Sequence, residues 1–369
     1  MLKKEKSHIM KILRILFVWA LISLVLQFGA FSLLNYQIEK VMTPITASSE
    51  PITSQLKTTI PGSNLKTLQI SYAKDYLAYT ENGKLKVYNL KKKKVVFESS
   101  APNDKTLGVL TYQWLQDRNT LIYFYADKKP NSGNSQTTEL YSLECPNSDD
   151  DTSPDNHLNQ TLKFPEGGKI EELVISTSTN LMYFTVKKGS TEQLIEITVN
   201  KNVSTLNKLG ETIDSMAASD QNGTLYIDSK VGATQNIIAF DAGKRKIISR
   251  NNYDRILGIR AGKVYIGEVK NNELVKVKSI TDRTIMTESP ALKIEWQGSI
   301  PFNNAQALVG AKGQVVIYDN QTVSIVTAGQ LKEVKLLGDQ NYVSNDGAEI
   351  IQLTSQGTST NVELRPLNP

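Results

Sequence analysis

Hydrophobic and polar positions alternate in short runs from about residue 65 to the end of the chain. The run 68–97, LQISYAKDYLAYTENGKLKVYNLKKKKVVF, shows the unit. It predicts three short apolar strands, separated by a turn at Glu81-Asn82-Gly83-Lys84 and a basic turn at 91–94. Period-two alternation bounded by Asn-Gly is the pattern of a β-hairpin. Four later units open alike, at Ile170-Glu171-Glu172-Leu173, Ile213-Asp214-Ser215-Met216, Tyr253-Asp254-Arg255-Ile256 and Ile294-Glu295-Trp296-Gln297. The steps between them are 43, 40 and 41 residues. Each opening leads into a short strand and then an alternating strand ending in an aromatic or apolar pair, such as Tyr183-Phe184, Tyr226-Ile227, Tyr265-Ile266 and Ile317-Tyr318. Extending the period in both directions gives about seven units over roughly 300 residues, with three or four strands per unit.

That period predicts an all-β fold, a β-propeller of about seven blades. Each small sheet buries its faces against its neighbours, so no unit is stable alone. The last unit, near Asp339, looks short. A strand from 55–60 is expected to complete it and close the ring. A β-sandwich or two smaller β domains is the competing architecture. The second unit carries extra polar tracts at 128–137 and 146–159, expected to be exposed mobile loops.

The N-terminal end has a different pattern. Residues 15–34 hold no charge. As a helix that run spans about 30 Å, the thickness of a bilayer core. Lys3, Lys4, Lys6, Lys11 and Arg14 precede it, against Glu5 alone. The positive-inside bias then puts residues 1–14 in the cytoplasm and the rest outside. A cleaved signal peptide would have a shorter apolar core and a small-x-small site, and Leu33-Leu34-Asn35-Tyr36 is a poor one. The expected organisation is a tail at 1–14, a single transmembrane helix at 15–36, a Thr/Ser/Pro linker at 37–64 and a propeller at 65–369.

Charge and composition narrow the chemistry. The net charge is +5, but the first fourteen residues carry +4 of it. The remainder lacks the basic footprint that nucleic acid requires, so no nucleic-acid partner is expected. One cysteine, Cys145, excludes a disulfide framework and a multi-cysteine metal site. The two histidines, His8 and His157, and the missing Gly-x-Ser-x-Gly elbow argue against nucleophilic hydrolysis. No phosphate-binding glycine loop is present, and no cofactor is expected. The tract 149–155 lacks the spacing of a calcium loop. Trp114 and Trp296 read as inter-blade core rather than binding platforms, and 91–94 as a solvated turn rather than a lipid or wall-polymer contact.

Ser344-Asn345-Asp346-Gly347-Ala348-Glu349-Ile350-Ile351 looks like the TolB-type repeat start, Ser-Pro-Asp-Gly followed by two apolar positions. Ser219-Asp220 followed by Gly223-Thr224-Leu225-Tyr226 is a looser match, and Tyr72-Ala73-Lys74-Asp75 lacks both the proline and the glycine. With the apolar N-terminal run and the polar linker, the chain resembles bacterial extracytoplasmic β-propeller proteins of the TolB-like and WD40-like groups. The resemblance implies the fold and a role in protein–protein contact. It transfers no functional residue.

One polar feature recurs. Glu171, Asp214, Asp254 and Glu295 take the same place in four consecutive units. If each unit opens on its innermost strand, these acids form an arc of carboxylates at one channel mouth. Such an arc would favour a cation or a cationic segment of a partner. The structural alternative is that each acid accepts backbone N–H groups in an inter-blade turn. The sequence thus predicts a membrane-anchored extracytoplasmic binding or scaffold module for another envelope protein. A cell-wall or polysaccharide-binding module and a carboxylate-dependent glycan hydrolase are the alternatives.

Overall fold

A computed structural model describes residues 17–19, 21, 23–24, 26–27, 29, 31–32, 55–130, 135–165, 167–282 and 291–367. The chain forms two compact units, Met1–Ile45 and Thr46–Pro369. In the first, the described residues are helical and exposed. No helix among the described residues is long and apolar enough to cross a membrane. The tail 1–14, the linker as far as residue 54, and much of the apolar run lie outside the described residues.

The second unit is a seven-bladed β-propeller of four-stranded antiparallel sheets. The first strand, β1 (Leu56–Pro61), belongs to the last blade. Blade 1 holds β2 (Lys66–Ile70), β3 (Tyr76–Glu81), β4 (Lys84–Asn89) and β5 (Lys94–Glu98). Blade 2 holds β6 (Thr106–Trp114), β7 (Thr120–Pro130), β8 (Ser135–Glu144) and β9 (Asp155–Pro165). Blade 3 holds β10 (Lys169–Ser176), β11 (Leu181–Lys188), β12 (Thr191–Ile197) and β13 (Val203–Thr205). Blade 4 holds β14 (Glu211–Ala218), β15 (Leu225–Val231), β16 (Thr234–Asp241) and β17 (Lys244–Ser249). Blade 5 holds β18 (Asp254–Arg260), β19 (Lys263–Lys270), β20 (Glu273–Thr281) and β21 (Lys293–Pro301). Blade 6 holds β22 (Gln306–Val309), β23 (Val315–Tyr318), β24 (Thr322–Thr327) and β25 (Gln330–Lys335). Blade 7 holds β26 (Gln340–Val343), β27 (Glu349–Gln356) and β28 (Ser359–Pro366).

In each blade the first of these strands is innermost, and β6, β10, β14, β18 and β22 pack on one another in sequence around the axis. The expected closure is present. β1 pairs antiparallel with β28 from Leu56↔Leu364 to Pro61↔Ser359, so the two ends of the ring share one sheet. The first unit has four strands, not three, because a turn at 71–75 divides its first apolar stretch into β2 and β3.

Apolar side chains fill the spaces between blades. Tyr76, Trp114 and Leu121 join blades 1 and 2, and Trp296 with Val309 and Val315 joins blades 5 and 6. Both tryptophans are buried, as expected. Burying an apolar side chain of this size contributes about 1.5–3 kcal/mol. The Cys145 thiol packs beside the first of these clusters, and burial pushes it up to about 12.

The polar tracts of blade 2 differ from expectation. Much of 128–137 and 155–159 is strand, within the long ladder of β7, β8 and β9. The ladder continues because backbone pairing does not require apolar side chains on the exposed part of a blade. The acidic stretch between β8 and β9 meets the basic turn of blade 1: Lys91 lies 2.9 Å from Asp149, and Lys92 lies 2.9 Å from Asp151.

The TolB-like turn has a physical basis. The Ser344 hydroxyl accepts the Glu349 N–H at 2.9 Å, and Gly347 adopts φ +66°. Ser71 builds the same turn in blade 1, accepting the Tyr76 N–H at 3.1 Å. There Lys74 takes the left-handed position, at φ +64°. A non-glycine residue is strained in that conformation by about 1–3 kcal/mol. Its ammonium offsets the strain by reaching across the ring closure, 2.6 Å from Asp346 and 2.7 Å from Glu349 of blade 7.

Candidate functional site

The mouth at which the innermost strands begin is shaped by β-bulges. β10 pairs regularly at Ile170↔Val186 and resumes at Leu173↔Phe184, leaving Glu171 and Glu172 in the irregularity. β14 pairs at Ile213↔Ser229 and then at Ser215↔Asp228, leaving Asp214 unpaired. A bulge bends its strand and re-aims the side chains it carries. Glu171 stays exposed, 3.1 Å from Lys187. Glu172 turns inward. Its N–H donates to the Thr185 hydroxyl at 3.2 Å, and its carboxylate accepts the Met216 N–H of blade 4.

Three further carboxylates lie near enough to act on Glu172 through their charge. Glu192, at the start of β12, accepts the Ile213 N–H at 3.2 Å, and its Oε1 has no hydrogen-bond partner. Asp228, on β15, is fully buried. Its Oδ1 accepts the Gln235 amide, while its Oδ2 has no hydrogen bond and lies 3.5 Å from the Arg255 Nε. Asp214 is exposed and accepts the same Gln235 amide at 3.4 Å. Among the described residues, the Arg255 contact is the one ion pair these four acids make.

The electrostatics follow. Burial pushes the Glu172 carboxyl up to about 8, and the charges of Glu192, Asp214 and Asp228 push the same way. Burial pushes Asp228 up to about 7 against the pull of Gln235 and Arg255. Glu192 is raised too, by burial first. A buried carboxylate short of donors and cations holds its proton. A cationic group placed among these acids would be stabilised by all of them and would drive the proton off. Among the described residues, no group of three or more His, Cys, Asp or Glu side chains is arranged to hold a metal ion.

The four acids singled out by the repeat are not equivalent in the fold. Asp214 lies in the cluster and Glu171 at its rim. Asp254 opens β18 but is fully buried, and it accepts Ser249 at 2.7 Å, Asn251 at 3.0 Å and Lys278 at 2.7 Å. That is the structural alternative, served by side chains rather than backbone. Glu295 does not open a blade. It lies on β21, the outermost strand of blade 5, and blade 6 opens instead at Gln306. Its carboxyl accepts the Ser279 hydroxyl at 2.6 Å and lies 3.0 Å from Lys293; both hold it below its ordinary range. It faces a cleft of about 240 Å³ between blades 5 and 6, with Tyr265, Lys263 and Lys312. Glu192 and Asp228 escaped the sequence reading because they sit on second and third strands. Glu172 was visible as the neighbour of Glu171.

The opposite mouth is tied together. Ser71, Ser176, Ser219 and Ser344 are buried at the ends of innermost strands. Asp282 of blade 5 accepts the Asn222 amide at 3.2 Å and the Tyr226 hydroxyl, both from blade 4. Arg260 of blade 5 donates to Gln116 of blade 2, spanning the axis.

No protein-family model matches the chain, and no curated protein matches it in sequence. Solved structures are similar to it in three dimensions. The β-propeller domain of Cps50 (Swd1) from Myceliophteria thermophila is similar at a TM-score of 0.50 and 11% identity, covering 83% of this chain and 98% of the other. The two share a β-propeller fold. Streptogramin B lyase has a TM-score of 0.49 at 13% identity, over 86% of this chain and 100% of the other. TolB from Acinetobacter baumannii has a TM-score of 0.42 at 9% identity, over 85% and 79% respectively. The likeness to the Cps50 domain speaks to fold alone.

Proposed function

We propose that the chain is a membrane-anchored, extracytoplasmic β-propeller that binds another envelope protein, docking a cationic segment of it at the acidic mouth. The carrying observation is the quartet Glu172, Glu192, Asp214 and Asp228, served by one distant guanidinium. A rigid ring holds the quartet in place without the partner, so little ordering entropy opposes docking. The anchor reading draws on the uncharged run 15–34, its one-sided basic flank, and the exposed side chains of the helical residues Phe17, Trp19, Leu24, Leu26 and Phe31.

Photo-cross-linking from position 171, at the exposed rim of the cluster, in intact cells tests the partner. A cross-linked protein that is lost in an Asp214→Asn, Glu172→Gln double variant and weakened by salt supports the reading. Equal capture by the double variant overturns it. Reporter fusions at either end of the chain test the topology separately. A second reading, a carboxylate-dependent glycan hydrolase, draws on protonated Glu172 beside Asp214 as acid and base. Release of reducing ends from wall glycan, abolished by Glu172→Gln, would favour it.

A further inference from the structure

Blade 7 carries a second feature, built from other residues than the acidic mouth. A groove of about 690 Å³ lies beside β1 and β28. Alternate positions of three paired strands present side chains to it: Lys57, Glu363 and Gln352 in one cross-strand row, Thr59, Asn361 and Thr354 in the next. Arg365 and Lys93 also line it. Three cations therefore face one acid.

That acid is already engaged. Glu363 lies 3.1 Å from Lys57 and accepts the Gln55 amide. Arg365 donates through one terminal nitrogen to the Lys335 carbonyl at 3.3 Å, while its Nε is buried with no acceptor. Lys93 has no carboxylate within ion-pair distance among the described residues, whereas its neighbours Lys91 and Lys92 are tied to Asp149 and Asp151. The Gln352 amide donates to Asn341 and the Thr59 hydroxyl to Asn361, so the guanidinium with its unused N–H, the ammonium lining the same groove and the Asn361 amide are the groups that match a phosphate oxygen cluster. The exposed Lys57–Glu363 pair is weak enough to rearrange around a stronger anion.

We infer that this groove is a binding site for a phosphate-bearing ligand, with Arg365 and Lys93 as its main contacts. Phosphate monoesters and the diester of a lipid headgroup or polymer share this chemistry.

Titration calorimetry on the full-length protein in detergent micelles tests the site. The two probes are inorganic pyrophosphate and sn-glycero-3-phosphoglycerol. Saturable binding of either probe is expected. Arg365→Gln should weaken it about tenfold, equivalent to one lost charge-assisted contact. Arg365→Lys should lose less, and Lys93→Gln, in an exposed turn, about threefold. Pyrophosphate binding alone marks a soluble phosphate ligand, and glycerophosphoglycerol binding a diester. The Asp214→Asn, Glu172→Gln variant should bind both probes as the parent does, which separates this site from the proposed docking mouth. Neither probe binding at about 1 mM would overturn the inference. So would an equal loss in Lys169→Gln, on a distant blade.

Discussion

The two mouths of the propeller use the same residue types in opposite ways. At the mouth where the innermost strands end, three buried or half-buried carboxylates meet donors or a cation, although burial still raises Glu349 and Asp220. Asp346 and Glu349 share Lys74, and Asp282 collects donors from blade 4. At the mouth where those strands begin, Glu172, Glu192, Asp214 and Asp228 crowd together with one guanidinium at 3.5 Å. A buried charge fully matched by donors fixes geometry, and removing one partner exposes the cost of the other. A buried carboxyl left short keeps its proton and responds to whatever cation arrives. The first mouth has the form of a clamp, and the second of the receptor proposed above. Asp254 marks the boundary between them, because it sits on the receptor side with the clamp's full set of donors.

The sharpest way to break this contrast is Lys74→Met. It removes the ammonium that Asp346 and Glu349 share at the ring closure, and a loss of about 3–5 kcal/mol is expected in urea unfolding. A loss under about 1 kcal/mol would mean that the closing ion pair does not clamp the ring. Asp254→Ala comes next, leaving Lys278 to Glu268 alone, with an expected loss of about 2–3 kcal/mol by the same measurement. Should it be silent, Asp254 belongs with the receptor acids.

Glu172→Gln should act through pH. In the folded state Glu172 ionises at about 8, against 4.5 as the ordinary value. Between those values the folded chain holds a proton that the unfolded chain has lost. Stability from this group is complete below the ordinary value and falls as pH rises through the folded one. Asp228 acts with the same sign, between 3.8 and about 7. The variant should therefore melt a few degrees above the parent at about pH 9 and alongside it at about pH 4. Parallel melting curves across that range would contradict the burial of Glu172. The smallest effect on stability is expected from Asp214→Asn, within about 0.5 kcal/mol, because the side chain is exposed. Its expected consequence is loss of the cross-linked partner.

Much of the ring was legible along the chain. The 40–43-residue steps, the Asn82-Gly83 hairpin and the closing strand at β1 follow from period-two patterning and turn chemistry, which act over neighbouring residues. The candidate site was only half legible. Asp214 and Glu171 carried a repeat signature, but Glu295 carried the same signature from an outermost strand. Lys74 looked like a departure from the TolB-like turn, yet it fills the glycine's left-handed position and supplies the cation that ties blade 1 to blade 7.

The sequence alone determined the repeat, its all-β character and the uncharged N-terminal run, because local alternation and turn residues encode them. Tertiary structure decided which acids are matched and which are left wanting. That choice depends on radial position and on bulges that rotate individual side chains, and on donors contributed by strands far away in the chain. Glu172 and Glu171 are adjacent letters in the same motif, yet one faces solvent and the other turns inward, where burial and the carboxylates of the next blade act on it.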